Sequence, residues 1–319
     1  GAVLEGRELE KLSDEALQKR AAETLLFARV SPEHKVRIVE AFQKNGEAVA
    51  MVGDGINDAP ALKRADIGVS LGSGTDIAKE AADLVLLDDS FATIIAAVRE
   101  GRIILENFRK TLTFLLSDGF TEIIVVALSI FFHLPLPILP AQILWINLIE
   151  DSLPSLALAF EKGEANLMAG GPEKKLKLIT PPLGALIVSF GIIVGVTSFG
   201  LFWWLNQAGG SLEYSRTMVM AMVGVNSLFY VFSIKNLRGT IFNIRLFDNL
   251  FLIASLVFGF ILMAAAVYVP VLQKLLQTVP LGTPDWALVV GFGIFNIVLI
   301  EVLKFVFLRF MPRNGLFNS

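Results

Sequence analysis

Six apolar stretches after residue 100 constrain this chain more than any other feature. They run Leu112–His133, Ile138–Phe160, Leu183–Leu205, Met218–Ile234, Leu250–Val269 and Trp286–Phe310. Each approaches the ~20 residues that a helix needs to cross the hydrocarbon core of a bilayer. Backbone N–H and C=O groups find no water there, so each stretch is expected to be a transmembrane helix. The hairpin HLPLPILP joins the first two. Lys162, Lys174, Lys175, Lys177, Lys235, Arg238, Arg245, Arg309 and Arg313 then fall on one side, against Lys274 and Arg216 on the other. An excess of Lys and Arg marks the cytoplasmic face, which places residues before 100 and the C-terminus in the cytoplasm.

Composition fits a chain of two kinds. Of 319 residues, 54% are hydrophobic and 18% charged, with mean hydropathy +0.65. That is too apolar for an ordinary soluble domain and too charged for membrane spans alone. A net charge of -3 gives no basis for nucleic-acid binding. The lack of cysteine excludes disulfides and thiolate metal sites within these residues. The opening GAVLEGRELEKLSDEALQ lacks the basic start and apolar core of a signal peptide. It begins abruptly, as part of a longer protein would.

The division is expected near residue 100, with domains 1–100 and 101–319. In the first, SPEHKVRIVEAFQKNG predicts a helix with Ser31 as N-cap, Pro32 in the first turn and Gly46 at its end. EAVAMVGDG predicts a buried strand, DAPALKRA a helix, IGVSL a strand, GTDIAKEAA a helix and DLVLLD a third strand. Such alternation predicts a parallel α/β sheet with helices on both faces. The following SFATIIAAVREGRIILENFRKTLTFLL has no Pro and only Gly101 as a breaker. One unbroken helix is therefore expected to run into the first span, a rod able to transmit movement.

The stretch MVGDGINDAPALK, residues 51–63, holds Asp54 and Asp58 at the carboxyl end of a predicted strand. Open α/β sheets place their sites there. Gly53 and Gly55 permit close backbone approach, and two carboxylates around an Asn suit an oxygen-liganded Mg²⁺. A glycine turn with helix-capping aspartates fits the same residues equally well.

The spans carry acids. Asp118 and Glu122 share one face of the first by their i, i+4 spacing, and Asn147, Glu150 and Asp151 share one face of the second. An unpaired Asp at a helix centre costs about 2.5–3.5 kcal/mol on insertion scales, so several together demand compensation. Pro154 has no N–H, which leaves the Glu150 carbonyl without its helical partner. Carboxylates, an amide and a freed carbonyl make an oxygen-rich nest for a hard cation. The competing reading is acids that are protonated or hydrogen-bonded and only pack helices.

FARVSPEHKVRIVEAFQ and VAMVGDGINDAPALKRADIGVSLGSGTDIAKEAADLVLLDDSFATIIAAVREGR together resemble the phosphorylation domain of P-type ATPases. GDGINDAP is among that family's most specific signatures, and the resemblance continues through LWINLIEDSLPSLALAFEKGEANLM into the last spans. Six spans after this domain resemble the type II, calcium-pump-like members. The resemblance implies a haloacid-dehalogenase-like α/β portion of the phosphorylation domain, followed by an all-α membrane domain of six transmembrane helices. It implies that Asp54 holds Mg²⁺. Asn57 and Asp58 would complete the hydrogen bonds around an aspartyl phosphate, and Lys35 would neutralise phosphoryl oxygens. Lys35 and Asn57 would thereby face the ATP-derived phosphate. By its residues alone, Lys35 reads as a solvated helix lysine.

Glu122, Asn147 and Asp151 match calcium ligands of that family, with Glu150 as an added carboxylate. Those three match the covered part of the second of the family's two calcium sites; in the other, Gly119 and Glu150 stand where the family has an Asn and a Thr, and MVGVNSL lacks its Glu. One transported ion is therefore expected, Ca²⁺ first, with a proton or another cation as the alternative. The family's phosphorylated Asp-Lys-Thr-Gly-Thr and its upstream Thr-Gly-Asp do not occur here. The expected partners are the bilayer and the remainder of a pump: nucleotide-binding and actuator domains and four earlier spans. Alone the chain should not turn over ATP, most of whose site would lie elsewhere. The expected location is the plasma membrane of a prokaryote.

Two other classes compete. A phosphatase-like domain on a passive anchor needs no acids in its spans, and a secondary transporter needs no GDGINDAP. Elsewhere, Gly191 and Gly195 read as a close helix contact. Glu301 and Lys304 read as a pair or as snorkelling ends. His34 reads as a surface residue, and His133 as a titratable group at the outer hairpin.

Overall fold

A computed structural model describes residues 2–163, 167–168, 177–237, 239–243 and 247–310, without the side chains of Ile149, Glu150, Asn243, Leu308 and Phe310. Lys174, Lys175, Arg238, Arg245 and Arg313 lie outside the described residues. The chain divides into two compact units, with the change from one to the other at Glu100/Gly101.

The first unit begins with β1 (Ala2–Glu5), α1 (Gly6–Leu9), α2 (Asp14–Ala21) and β2 (Thr24–Ala28), with β1 and β2 paired in parallel. Leu4, Leu9, Leu17, Ala21 and Ala41 close a small core, where Phe27 and Phe42 meet edge to face at 6.2 Å. α3 (Pro32–Lys44) starts at Ser31, whose hydroxyl accepts from the His34 N–H while the Ser31 N–H donates to His34 Nδ1. His34 is thus half-buried in a capping box rather than a free surface group. Gly46 follows α3 at φ +81°, a left-handed conformation that favours glycine.

β3 (Ala50–Gly53), α4 (Ala59–Arg64), β4 (Ile67–Leu71), α5 (Asp76–Ala81) and β5 (Leu84–Leu86) follow. The three strands form a parallel sheet in sequence order, separate from the β1–β2 pair. The expected parallel α/β pattern is present, but as two small sheets. β1 and β2 were not legible because TLLFA is short and follows a helical run.

In the second unit, α6 (Phe91–Phe131) enters from the preceding sequence as one helix of 41 residues that passes Gly101 unbroken. Next come α7 (Pro140–Trp145), a π-helical turn (Ile146–Glu150) and α8 (Ser152–Ala159). α9 (Pro181–Gln207), α10 (Leu212–Ile234), α11 (Leu250–Tyr268), α12 (Pro270–Leu276) and α13 (Thr283–Phe310) complete it. Among the described residues, five helices are long and apolar enough to cross a membrane: α6, α9, α10, α11 and α13. The sixth expected stretch, 138–160, is instead three short helical pieces. Pro154 falls in the first turn of α8, where a missing N–H costs little, so it marks a restart of the helix rather than a gap within one.

α10 is apolar nearly all round and buried along most of its length, packed by α9, α11 and α13. α9 lies tight against α6: a Cβ on Gly191 would come within 2.6 Å of Phe120 Cβ, and one on Gly195 within 2.7 Å of Ile124 Cγ2. The Gly191/Gly195 spacing is therefore a close helix contact, as expected. Glu301 and Lys304 pair at 3.0 Å, both buried. The Lys304 ammonium also donates to the Ser233 carbonyl, so the pair is sealed inside rather than snorkelling.

Candidate functional site

The first site lies where β3 ends. Gly53 is buried, and a Cβ there would come within 2.5 Å of Asp58 Cβ, so glycine is what lets the Asp58 side chain fold over the strand end. Residues Ile56–Asp58 form a single 3₁₀ turn that carries Asp58 inward, leaving Asp54 and Asn57 exposed. Asp58 is ion-paired with Lys35, from the first turn of α3, and its other oxygen accepts from the Gly55 N–H at 3.5 Å. The Asp54 carbonyl accepts from the Thr75 N–H at 2.9 Å, which ties the glycine loop to the start of α5.

Lys35 and Asp58 are thus brought together. The Asp54 carboxylate and the Asn57 amide, on the same loop, are exposed and make no hydrogen bond among the described residues. A free carboxylate in a glycine loop fits Mg²⁺, which keeps most of its waters and takes only one or two protein carboxylates. Asp58, engaged by Lys35, is not such a ligand in this structure.

The second site lies among the helices. α6 and the broken segment run antiparallel: Asn107 donates to the Ala159 carbonyl (3.2 Å), Thr111 to that of Ser155 (3.2 Å), and Asn147 Nδ2 to Glu122 Oε1 (2.8 Å). The π turn closes with the Asp151 N–H donating to the Ile146 carbonyl at 3.0 Å. Such turns add one residue to a helix and recur at functional sites. Here the turn sets Asp151 inward, fully buried.

The Ser227 hydroxyl of α10 lies 2.6 Å from Asp151 Oδ1 and 3.0 Å from Asp118 Oδ2. Asp118 is also buried. The expected nest of Glu122, Asn147 and Asp151 is therefore resolved into two groups: Glu122 with Asn147, and Asp151 with Asp118 through Ser227. Glu150 lies in the π turn, and its side chain is outside the described residues. Ser227 was missed, because an uncharged serine beside Asn226 in a mostly apolar helix carries no signal until the helix has neighbours. A further polar string links Asn226 Oδ1, Asn296 Nδ2 (2.9 Å) and Thr197 Oγ1 (3.2 Å). His133 lies in the turn after α6 at φ +57°, exposed.

A parallel α/β unit joined in sequence to five helices long and apolar enough to cross a bilayer, with buried acids among them, defines a multi-pass membrane protein. The chain belongs to the cation-transporting ATPases: the family description "Cation transporting ATPase, C-terminus" matches residues 135–306, more than half of it. Residues 8–66 match the haloacid dehalogenase-like hydrolases. A calcium-transporting ATPase of Bacillus subtilis is 42% identical over 294 residues, covering 91% of this chain and 33% of that protein. Calcium-transporting ATPase 1 of Yarrowia lipolytica is 37% identical over 320 residues, covering 100% of this chain and 34% of its own length. A probable cation-transporting ATPase F of Mycobacterium bovis is 39% identical over 288 residues, covering 90% and 32%. The chain spans about a third of the length of these relatives.

Proposed function

We propose that this chain is the C-terminal part of a type II P-type ATPase that moves Ca²⁺ across a membrane at the expense of ATP. One combination carries the reading: a Lys35–Asp58 pair beside a free Asp54, and carboxylates sealed among membrane helices at a π-helical break. A passive anchor gains nothing from buried acids, each of which costs free energy to insert.

In the soluble unit, Asp58 takes one of the three donors of the Lys35 ammonium and fixes its position. The remaining donors face phosphoryl oxygens, where fixed positive charge stabilises transfer. Asn57, exposed beside them, donates to the same phosphate. Asp54 would hold Mg²⁺, which when bound supplies further positive charge to those oxygens. The phosphorylated aspartate and most of the ATP site belong to other segments, because no Asp-Lys-Thr-Gly-Thr occurs here. The nucleotide-binding and actuator domains and four earlier spans are the partners we assign. Leu25 and Leu26 on β2, 82% and 55% exposed, are apolar strand residues that such partners would cover.

In the membrane unit, Glu122, Asn147, Glu150 and Asp151 are the ligands we assign to the transported ion. Flexible, all-oxygen coordination suits Ca²⁺ better than the stricter Mg²⁺. The soluble unit and the C-terminus face the cytoplasm of a prokaryote, with the helices in its plasma membrane.

The test is uptake of radiocalcium into vesicles holding the full-length pump. Uptake should require ATP and disappear with Asp151→Asn. If ATP hydrolysis is indifferent to Ca²⁺ but follows pH or a monovalent cation, the calcium assignment falls and the pump assignment survives.

A further inference from the structure

The link from Tyr268 to Thr283 contains a single short helix, α12, with the sequence PVLQKLL. The helices on either side of it, α11 and α13, are both long and apolar enough to cross a bilayer, so the link runs at a membrane surface. It lies at the end of the unit where α6 finishes and α7 begins, because Gln142 Nε2 of α7 donates to the Leu276 carbonyl at 2.9 Å. On the topology proposed above, this is the outer face.

α12 is apolar on two faces, and the protein covers one of them. Leu276 is buried, and Leu272 packs with it against the core beneath. Val271 and Leu275, at i and i+4 on the second face, are 74% and 63% exposed. The helix is not free to turn and hide them. Gln273 Nε2 donates to the Val267 carbonyl (2.6 Å) and Thr278 Oγ1 to that of Ala266 (2.6 Å), which fastens α12 to the last turn of α11. Gln142 holds its other end. Tyr268 and Val269, where α11 ends, are exposed as well, so the exposed apolar surface of the spanning helix continues along the chain into α12. Lys274 is also exposed, and among the described residues no acid pairs with it.

We propose that α12 is an interfacial foot of the helical unit. Val271 and Leu275 rest in the outer leaflet, where acyl chains meet headgroups, and Lys274 reaches lipid phosphate. An apolar face flanked by a lysine suits that boundary, since the acyl chains take the one and phosphate takes the other. Tyr268 and Trp286, joined at 2.8 Å where α11 ends and α13 begins, are of the residue types that settle at the same level. Tethered to a span on each side, α12 needs no affinity of its own to stay there. The proposal goes beyond calcium transport and shares with it only the placement in a membrane.

Nitroxide labels on single cysteines test this in the full-length pump, held in nanodiscs of phosphatidylcholine with phosphatidylglycerol. Labels at Val271 and Leu275 should collide with oxygen more often than with a water-soluble nickel chelate, at a depth about 5–10 Å below the phosphates. A label at Lys274 should show the reverse preference, and one at Ile261, exposed on α11, gives the lipid reference. Each of these side chains is exposed, so labelling leaves the core packing intact. Lys274→Glu should shift the Leu275 label towards the nickel chelate; an unchanged ratio would overturn the phosphate contact. Nickel contact at Val271 and Leu275 equal to that at Lys274 would overturn the foot itself, because that face then stands in water. Protection of both from oxygen and nickel alike would overturn it too, because protein or a second copy then covers the face. Neither result touches the calcium assignment, which radiocalcium uptake decides separately.

Discussion

Asp54 and Asp58 stand four residues apart, and the fold gives them opposite surroundings. The 3₁₀ turn carries Asp58 inward to Lys35, while Asp54 stays exposed on the glycine loop with its carboxylate free. On the proposed function their roles separate: Asp58 would position Lys35, and Asp54 would be left to Mg²⁺. Asp54→Asn keeps the shape and removes one negative charge. In the full-length pump it should cut Mg²⁺-dependent phosphoenzyme turnover by ~100-fold or more, the scale seen when a transition-state charge partner is lost. Its melting temperature should hardly move, since no described hydrogen bond is broken. Near-normal turnover would return Asp54 to the role of a loop-capping residue. At this scale the sequence was informative about residue type and silent about partners. Lys35 and Asp58 were both marked, yet nothing in their spacing of 23 residues says that they touch. Ser227 was invisible for the same reason.

Elements were most legible where local signals coincide. Ser31, Pro32 and Gly46 bound α3 as read, and IGVSL is β4 residue for residue. The broken span is the counterexample. Ile138–Phe160 has the length and apolarity of a continuous helix, and only the backbone shows the π turn that points Asp151 inward. Hydropathy does not encode a one-residue insertion. The junction of β3 and β4 yields a pH prediction. Asp66 accepts from the Val49 N–H at 2.9 Å and from Gln43 Nε2 at 3.2 Å. The backbone bond first, and the Gln43 bond second, hold its carboxyl below the usual carboxylate range. A depressed folded pKa favours the ionised form, so the stabilisation is present above the unfolded value of about 3.9 and is lost as pH falls through the folded value. Hydrogen exchange at Val49 should therefore accelerate below about pH 4 relative to amides in α3, once corrected for intrinsic rates. Asp66→Asn should show the faster exchange already at neutral pH. Equal protection of Val49 in both proteins at pH 7 would remove Asp66 from this role.

For the whole molecule, composition alone separated an α/β portion from an apolar one, because lipid and water select different residues. The two separate small sheets and the split of the buried acids into a Glu122–Asn147 pair and an Asp118–Ser227–Asp151 group were not legible, because both depend on which elements become neighbours. On the proposed function, phosphoryl chemistry in one unit is tied to ion binding in the other. The most direct measurement is phosphoenzyme formation from labelled ATP by the full-length pump, with and without Ca²⁺. Acid-stable phosphoenzyme should require Ca²⁺ in wild type and fail to form from ATP in Asp151→Asn, although Asp151 is a residue of the membrane unit. Phosphoenzyme that forms equally with or without Ca²⁺, and equally in Asp151→Asn, would contradict it.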